Sequence, residues 1–401
     1  MSAFGADVKP FTDPDHDFAS TKAEIRILDL AVLAHDELKS RGLLYDDEHV
    51  VDYVRRIASR VAPAFARAAP PLEVYVVRDA LVNAFAFPTA RIYINLGLMS
   101  VVESEAQLAA VIGHEIAHVV LRHSLRSAID RKRKIIASHV GDLLLFGTGL
   151  IYLGTAASLA SHSRGEEREA DLVGLQYLVA GAYEPNAAPA VFDVFQTMTA
   201  GEGARGSIYA SHPDNAERIA YLAEAIATDQ TAPRPVTADL GDYATLRNRI
   251  LEENVKIRLA RQRFELTDRT LERARGYAGD PALVEYYFGE VRRGVADDPE
   301  AAAADRALMR DEPRQQKAFA TDFAAARAEN YARAVAHYQA ALAARPGFAL
   351  PYRGLGLVAH AEGRDRDALA ALERYLASDD DLEDRRYVAR IVKTIKGRQP
   401  Q

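Results

Sequence analysis

A chain of 401 residues, 49% of them hydrophobic, has enough apolar material for two or three packed domains. Its 50 basic and 57 acidic residues leave a net charge of -7, which gives no basis for nucleic acid as a partner. The absence of cysteine excludes a disulfide framework and thiolate metal ligands, while leaving the compartment open.

Residues 1–20 contain Asp7, Asp13, Asp15 and Asp17, two prolines and no apolar run of signal-peptide length, so they read as a flexible N-terminus and not as a secretory signal. Helical spacing follows. Ile27, Leu30, Ala31, Ala34 and Leu38 define one helix over Ala23–Arg41, stopped by Gly42. Val51, Val54, Ile57, Ala58 and Val61 define a second over Val50–Phe65, and Pro70-Pro71 forces an extended exit. Leu72–Val77 and Arg91–Asn95 are short, alternating and rich in β-branched residues, as strands are. An extended substrate can pair with a strand edge, so either Ala84, Phe85 and Ala86 or Ile92, Tyr93 and Ile94 is where a peptide is expected to lie. Alternatively, this sheet only supports the helix that follows.

That helix carries Gly113-His114-Glu115-Ile116-Ala117-His118, an H-E-x-x-H pattern between the apolar flanks Ala109–Ile112 and Val119–Leu121. Histidines at i and i+4 share one helix face, where their ring nitrogens can hold a single zinc ion, and Glu115 can reach a water on it. On a solvated helix the pattern would mean little. Inside an apolar one, two imidazoles and a carboxylate need a partner, and a metal supplies it.

Beyond this helix Arg131-Lys132-Arg133-Lys134 precedes Leu143–Ser163, which has no charged residue and the length to span a bilayer. A single span would separate His118 from the acidic cluster that follows, so the stretch is expected to cover the cleft, with 131–163 offering peripheral contact to a membrane surface. The acidic cluster is Glu166-Glu167-Arg168-Glu169-Ala170-Asp171, with Glu167 and Asp171 at i and i+4 on a second helix. One of these carboxylates can bind metal while the other orients a ligand, and Asp171 suits an acceptor for the second ring nitrogen of His114 or His118. Glu166 and Glu169 read as a solvated helix start.

With these residues in place the sequence resembles the zinc metallopeptidases of the HtpX and CAAX-prenyl protease type, and most of all their BepA-like branch with tetratricopeptide repeats. The matching segments are Asn83–Pro88, Ile92–Leu98, the H-E-I-A-H run, Ser163-Arg164 through Asp171, and Ser211-His212-Pro213 with Arg218, together covering about residues 20–225. The resemblance implies one Zn2+ per chain on His114, His118 and Glu167, with Glu115 as catalytic base and His212 and Arg218 close to the metal. Pro213 restricts His212 to an extended backbone, so its ring can be held at a fixed angle, either to stabilise the oxyanion or to block the fourth metal position. A loop histidine satisfied by solvent is the plainer alternative. The resemblance also implies a periplasmic or cell-envelope location and protein substrates; no signal peptide is visible in residues 1–20, and a cytoplasmic chain is the alternative.

Residues 229–241, with Pro233, Pro235 and Gly241, read as a linker. Beyond them, Tyr331, Ala334, Tyr338 and Ala341 align with Asp365, Ala368, Leu372 and Tyr375 at the 34-residue period of a tetratricopeptide repeat. A later first helix begins near Pro351, Gly363 turns the corner, Glu285–Arg293 is a degenerate earlier unit, and Leu382–Ile395 caps the end. The expected architecture is an α+β zincin-like peptidase domain over 21–228, mainly helical with a small sheet, then an all-α repeat domain over 242–401, clearest in 317–384. The repeats are expected to dock a client or a protein partner. The competing reading is a repeat scaffold or chaperone with a residual or self-inhibited zinc site.

Overall fold

The computed structural model describes residues 10–11, 22–62, 71–127, 162–199, 215–228, 243–378 and 384–398. Two compact units are present, Met1–Asn254 and Val255–Gln401. The linker expected at 229–241 and nearly all of 1–20 lie outside the described residues. The observed division falls inside the helix Tyr243–Ala260, because its first three turns are tied to the first unit. There Tyr243 is buried and donates to the Val102 carbonyl, Arg247 donates to the Glu103 carbonyl, and the Asn254 amide donates to the Ser100 hydroxyl.

In the first unit, helices α1 (Lys22–Ser40) and α2 (Glu48–Val61) match the two amphipathic stretches of the sequence. Asp47 caps α2 by accepting from the backbone amides of His49 and Val50. Strands β1 (Glu73–Val77), β2 (Ala84–Phe87) and β3 (Arg91–Asn95) form one sheet in the order β1-β3-β2, β3 running parallel to β1 and antiparallel to β2. Phe85, Phe87 and Tyr93 turn one face onto Ile27, Ala31, Ala34 and Leu38 of α1. The alternate residues face the other way, as strand periodicity requires, and α2 and the next long helix pack on the sheet.

One expectation is corrected here. Ile92, Tyr93 and Ile94 lie in the central strand, with a neighbour on each side, so their backbone cannot take a substrate strand. Ala84, Phe85 and Ala86 are in an edge strand of the described sheet.

After the short α3 (Leu96–Met99), helix α4 (Glu105–Val120) carries the H-E-x-x-H residues, with the Ser104 hydroxyl accepting from the Gln107 amide at its start. Every residue of α4 except His114 is buried, so it is a core helix. Its first residue, Glu105, is anchored by the hydroxyls of Tyr53 and Tyr183, with Arg60 at 3.7 Å. Helix α5 (Arg164–Ala180) lies along α4, and α6 (Ala187–Thr199) and α7 (Asn215–Thr228) complete the surround. The α8 helix is Tyr243–Ala260.

The second unit is helical throughout its described residues: α9 (Phe264–Ala274), α10 (Pro281–Asp297), α11 (Pro299–Met309), α12 (Gln316–Ala325), α13 (Arg327–Ala344), α14 (Ala349–Ala361), α15 (Asp365–Leu376) and α16 (Arg385–Arg398), with a 3-10 turn at Pro313–Gln315. The aligned positions Ala334 and Ala368, Tyr338 and Leu372, Ala341 and Tyr375 are all fully buried. Helices α14 and α15 form a hairpin turned at Gly363, whose φ is +73°. The earlier helix pair is built differently from a sequential hairpin. Helix α12 has no buried residue, and α13 packs along α10, which puts the degenerate Glu285–Arg293 segment opposite it.

A buried ion network joins these helices. Glu290 accepts from the Tyr338 hydroxyl at 2.5 Å, from Arg293 at 2.8 Å and from Arg353 at 3.3 Å. Burial resists ionisation of Glu290, but Arg293 and Arg353 outweigh it and hold the carboxyl at about 2. Its folded pKa lies below the unfolded value near 4.3, so its contribution is complete above that value and disappears as pH falls toward 2. At neutral pH, Glu290→Gln removes the carboxylate that Arg293 and Arg353 share, leaving them Asp297 and Asp384, and is expected to destabilise the second unit by about 1–3 kcal/mol. Denaturation of both proteins from pH 7 to pH 3 checks this: the gap between them should narrow below about pH 4, and a constant gap would contradict the assignment.

Candidate active site

The close approach of α4 and α5 builds the site. A Cβ on Gly113 would lie 3.1 Å from the Gly174 carbonyl oxygen, and one on Gly174 would lie 3.0 Å from the His114 Cα. Two residues without side chains therefore let the backbones touch where the ligands must meet. The start of α5 is fixed by a capping box in which the Ser163 hydroxyl accepts from the Glu166 amide and the Glu166 carboxylate accepts from the Ser163 amide at 2.8 Å. Glu166 is thus buried and committed to the helix start, not solvated as the sequence suggested.

On the facing surfaces, His114 Nε2 and His118 Nε2 are 3.0 Å apart, and Glu167 places its two carboxylate oxygens 3.6 Å from the first and 3.4 Å from the second. Around a tetrahedral zinc with ligands at about 2.0–2.1 Å, donor atoms are separated by about 3.3–3.4 Å. Among the described residues this is the group of acidic and histidine side chains able to hold a metal.

The donor chemistry also fits. His114 Nδ1 lies 2.8 Å from Asp171 Oδ1, and with the ring proton on that side the Nε2 lone pair faces inward. Burial, then the neighbouring His162 and His114, push the His118 imidazole well below its ordinary range, so it is neutral and can donate a lone pair. Two inward lone pairs and a carboxylate this close together repel unless a cation lies between them.

Asp171 is itself held. Arg218 donates to its two oxygens at 2.8 and 2.6 Å, and the Tyr221 hydroxyl donates to it as well. Burial opposes its ionisation, but Arg218 and then His114 overcome that and hold the carboxyl at about 2. A third nitrogen of Arg218 sits 3.0 Å from Glu167. The guanidinium is thereby spent on the ligand Glu167 and on the residue that orients His114, and its face covers Phe192 at 4.3 Å. Arg218 thus lies close to the metal position, as the resemblance implies, in contact with both Glu167 and Asp171. His212 lies outside the described residues.

Glu115 is 1% exposed, on the same turn as His114, and lines a small pocket with Val111, Leu175, Val191, Phe192 and Leu222. Two histidines that sequence reasoning passed over also surround His118. His162 stacks on it with ring centroids 3.9 Å apart, and His123 Nδ1 approaches its Nδ1 at 2.9 Å.

Residues 48–226 match the family described as Peptidase family M48. The chain carries a peptidase M48 domain. It is 32% identical over 177 residues to the mitochondrial metalloendopeptidase OMA1 of Schizosaccharomyces pombe, covering 43% of this chain and 52% of that protein. It is 34% identical over 157 residues to the protein of the same name from Arabidopsis thaliana, covering 38% and 31%. Against the beta-barrel assembly-enhancing protease of Yersinia pestis the identity is 25% over 227 residues, covering 54% and 46%. The chain thus spans about half or less of the length of these relatives. The M48 domain contains all of the site residues named above, and no helix among the described residues is long and apolar enough to cross a membrane. Of the segment 131–163, only His162 and Ser163 are among the described residues.

Proposed function

We propose that the chain is a zinc-dependent endopeptidase that hydrolyses peptide bonds of protein substrates. The observation that carries this reading is the convergence of His114 Nε2, His118 Nε2 and the Glu167 carboxylate within 3.0–3.6 Å of one another, beside the buried Glu115. Zinc held there supplies Lewis acidity toward a carbonyl and makes a water acidic near neutral pH. Glu115 takes the proton of the attacking water and returns it to the leaving amine, acting as base and then acid. Asp171 and Arg218 keep His114 and Glu167 in place while this happens.

Substrate is expected to extend along β2 at Ala84, Phe85 and Ala86. His212 remains a candidate for the oxyanion or for the fourth metal position. The relatives named beta-barrel assembly-enhancing protease favour a role in protein quality control or assembly at the cell envelope, with the helical repeats, read as tetratricopeptide-like, docking a client or a partner. Cleavage of an unfolded protein by the full chain tests the central reading. It should cease on removal of metal by a chelator and return on addition of zinc. Cleavage that survives metal removal, or none at any zinc level, contradicts it.

A further inference from the structure

We infer that His123 and Glu169 are positioning residues for the metal centre, forming a relay that fixes the ring of His118 as Asp171 fixes that of His114; this rests on the metal-site reading above. The sequence places His123 five residues after His118. On an uninterrupted helix that offset turns the two side chains about 140° apart. The helix is interrupted. Helix α4 ends at Val120, Leu121 closes it by donating its amide to the Ala117 carbonyl, and Arg122 takes a left-handed conformation with φ of +56°. The reversal carries His123 back under α4, where its ring is completely buried and its Nδ1 lies 2.9 Å from Nδ1 of His118.

Roles in this contact follow from the inner face. His118 Nε2 points at His114 and Glu167, so in the metal-binding form it carries the lone pair and the proton is on Nδ1. Nδ1 of His118 therefore donates, and Nδ1 of His123 accepts. A neutral His123 then carries its proton on Nε2, which lies 3.2 Å from Glu169 Oε2 and donates to it. Arg126, 3.5 Å from the same oxygen, fixes the carboxylate end. Each metal-facing histidine thus has its outer nitrogen against a partner, His114 beside a buried carboxylate and His118 through a second imidazole to a half-exposed one.

Such outer contacts hold the ring and its tautomer, and losing one weakens metal binding by about 10–100-fold. The test is the zinc affinity of the full chain, measured by competition with a chromophoric chelator. His123→Leu is expected to bind zinc about 10–100-fold more weakly than wild type. His123→Gln is expected to recover most of the loss, since its amide oxygen accepts and its NH2 donates in a side chain of similar size. Packing alone would treat Leu and Gln alike, so equal weakening by both overturns the relay. So does wild-type affinity in His123→Leu. Glu169→Ala changes a half-exposed side chain and gives an arm independent of core packing. It is expected to weaken binding severalfold, and an unchanged affinity there also overturns the inference. Failure of the wild type to bind zinc contradicts the metal-site reading itself, a different result from any of these.

Discussion

Glu115→Gln is expected to bind zinc as the wild type does while hydrolysing protein about 10²- to 10⁴-fold more slowly, the contribution typical of a positioned acid or base. The reason is local. Glu115 is buried on α4 beside His114 and is not among the three residues that face the metal position, so an amide of the same shape leaves those ligands undisturbed. What an amide lacks is a site to receive the proton of water and return it to the amine. Parallel measurement of zinc content and turnover decides the matter. Wild-type turnover in the variant would remove Glu115 from the chemistry, and loss of zinc would show that it acts as a ligand.

Gly174→Val is expected to abolish the site from a position that supplies no ligand to the metal. Any Cβ at residue 174 meets backbone atoms, the Cα and N of His114 at 3.0 Å and the carbonyl carbon of Gly113 at 3.1 Å, so no rotamer change relieves it. Helices α4 and α5 must separate, and the gap between Glu167 and the two imidazoles widens with them. Overpacking of this kind costs about 1–3 kcal/mol in stability, and zinc affinity should fall more than about tenfold. Thermal denaturation and a zinc titration check both effects. Retention of wild-type affinity would show that the spacing of these helices does not set the site.

Much of this site was legible in the sequence because helical periodicity is local. His114 with His118, and Glu167 with Asp171, are i and i+4 pairs that a helix must place on one face, and the structure sets the two faces against each other. What the sequence left out depends on breaks in that periodicity. His123 reaches His118 through a left-handed residue that no spacing rule anticipates, and Glu169, half-exposed as expected of a solvated residue, is also its partner. His162 is brought onto His118 at the start of α5, far from it in sequence. Strand order was hidden for a similar reason: alternation reveals a strand but not its neighbours, so Ile92–Ile94 read as an edge as readily as Ala84–Ala86. In the second unit the 34-residue offset marked the buried positions of α13 and α15, yet it carried no sign that α10, not α12, packs along α13.

The most direct test of the central claim is the identity of the atoms that hold the metal. Elemental analysis of the full chain loaded with zinc, combined with X-ray absorption at the zinc edge, reads both stoichiometry and ligands. One zinc per chain, bound by two imidazoles and a carboxylate and lost in the double variant His114→Ala, His118→Ala, is the predicted result. Zinc retained in that variant, or a ligand set without imidazole, would contradict the account.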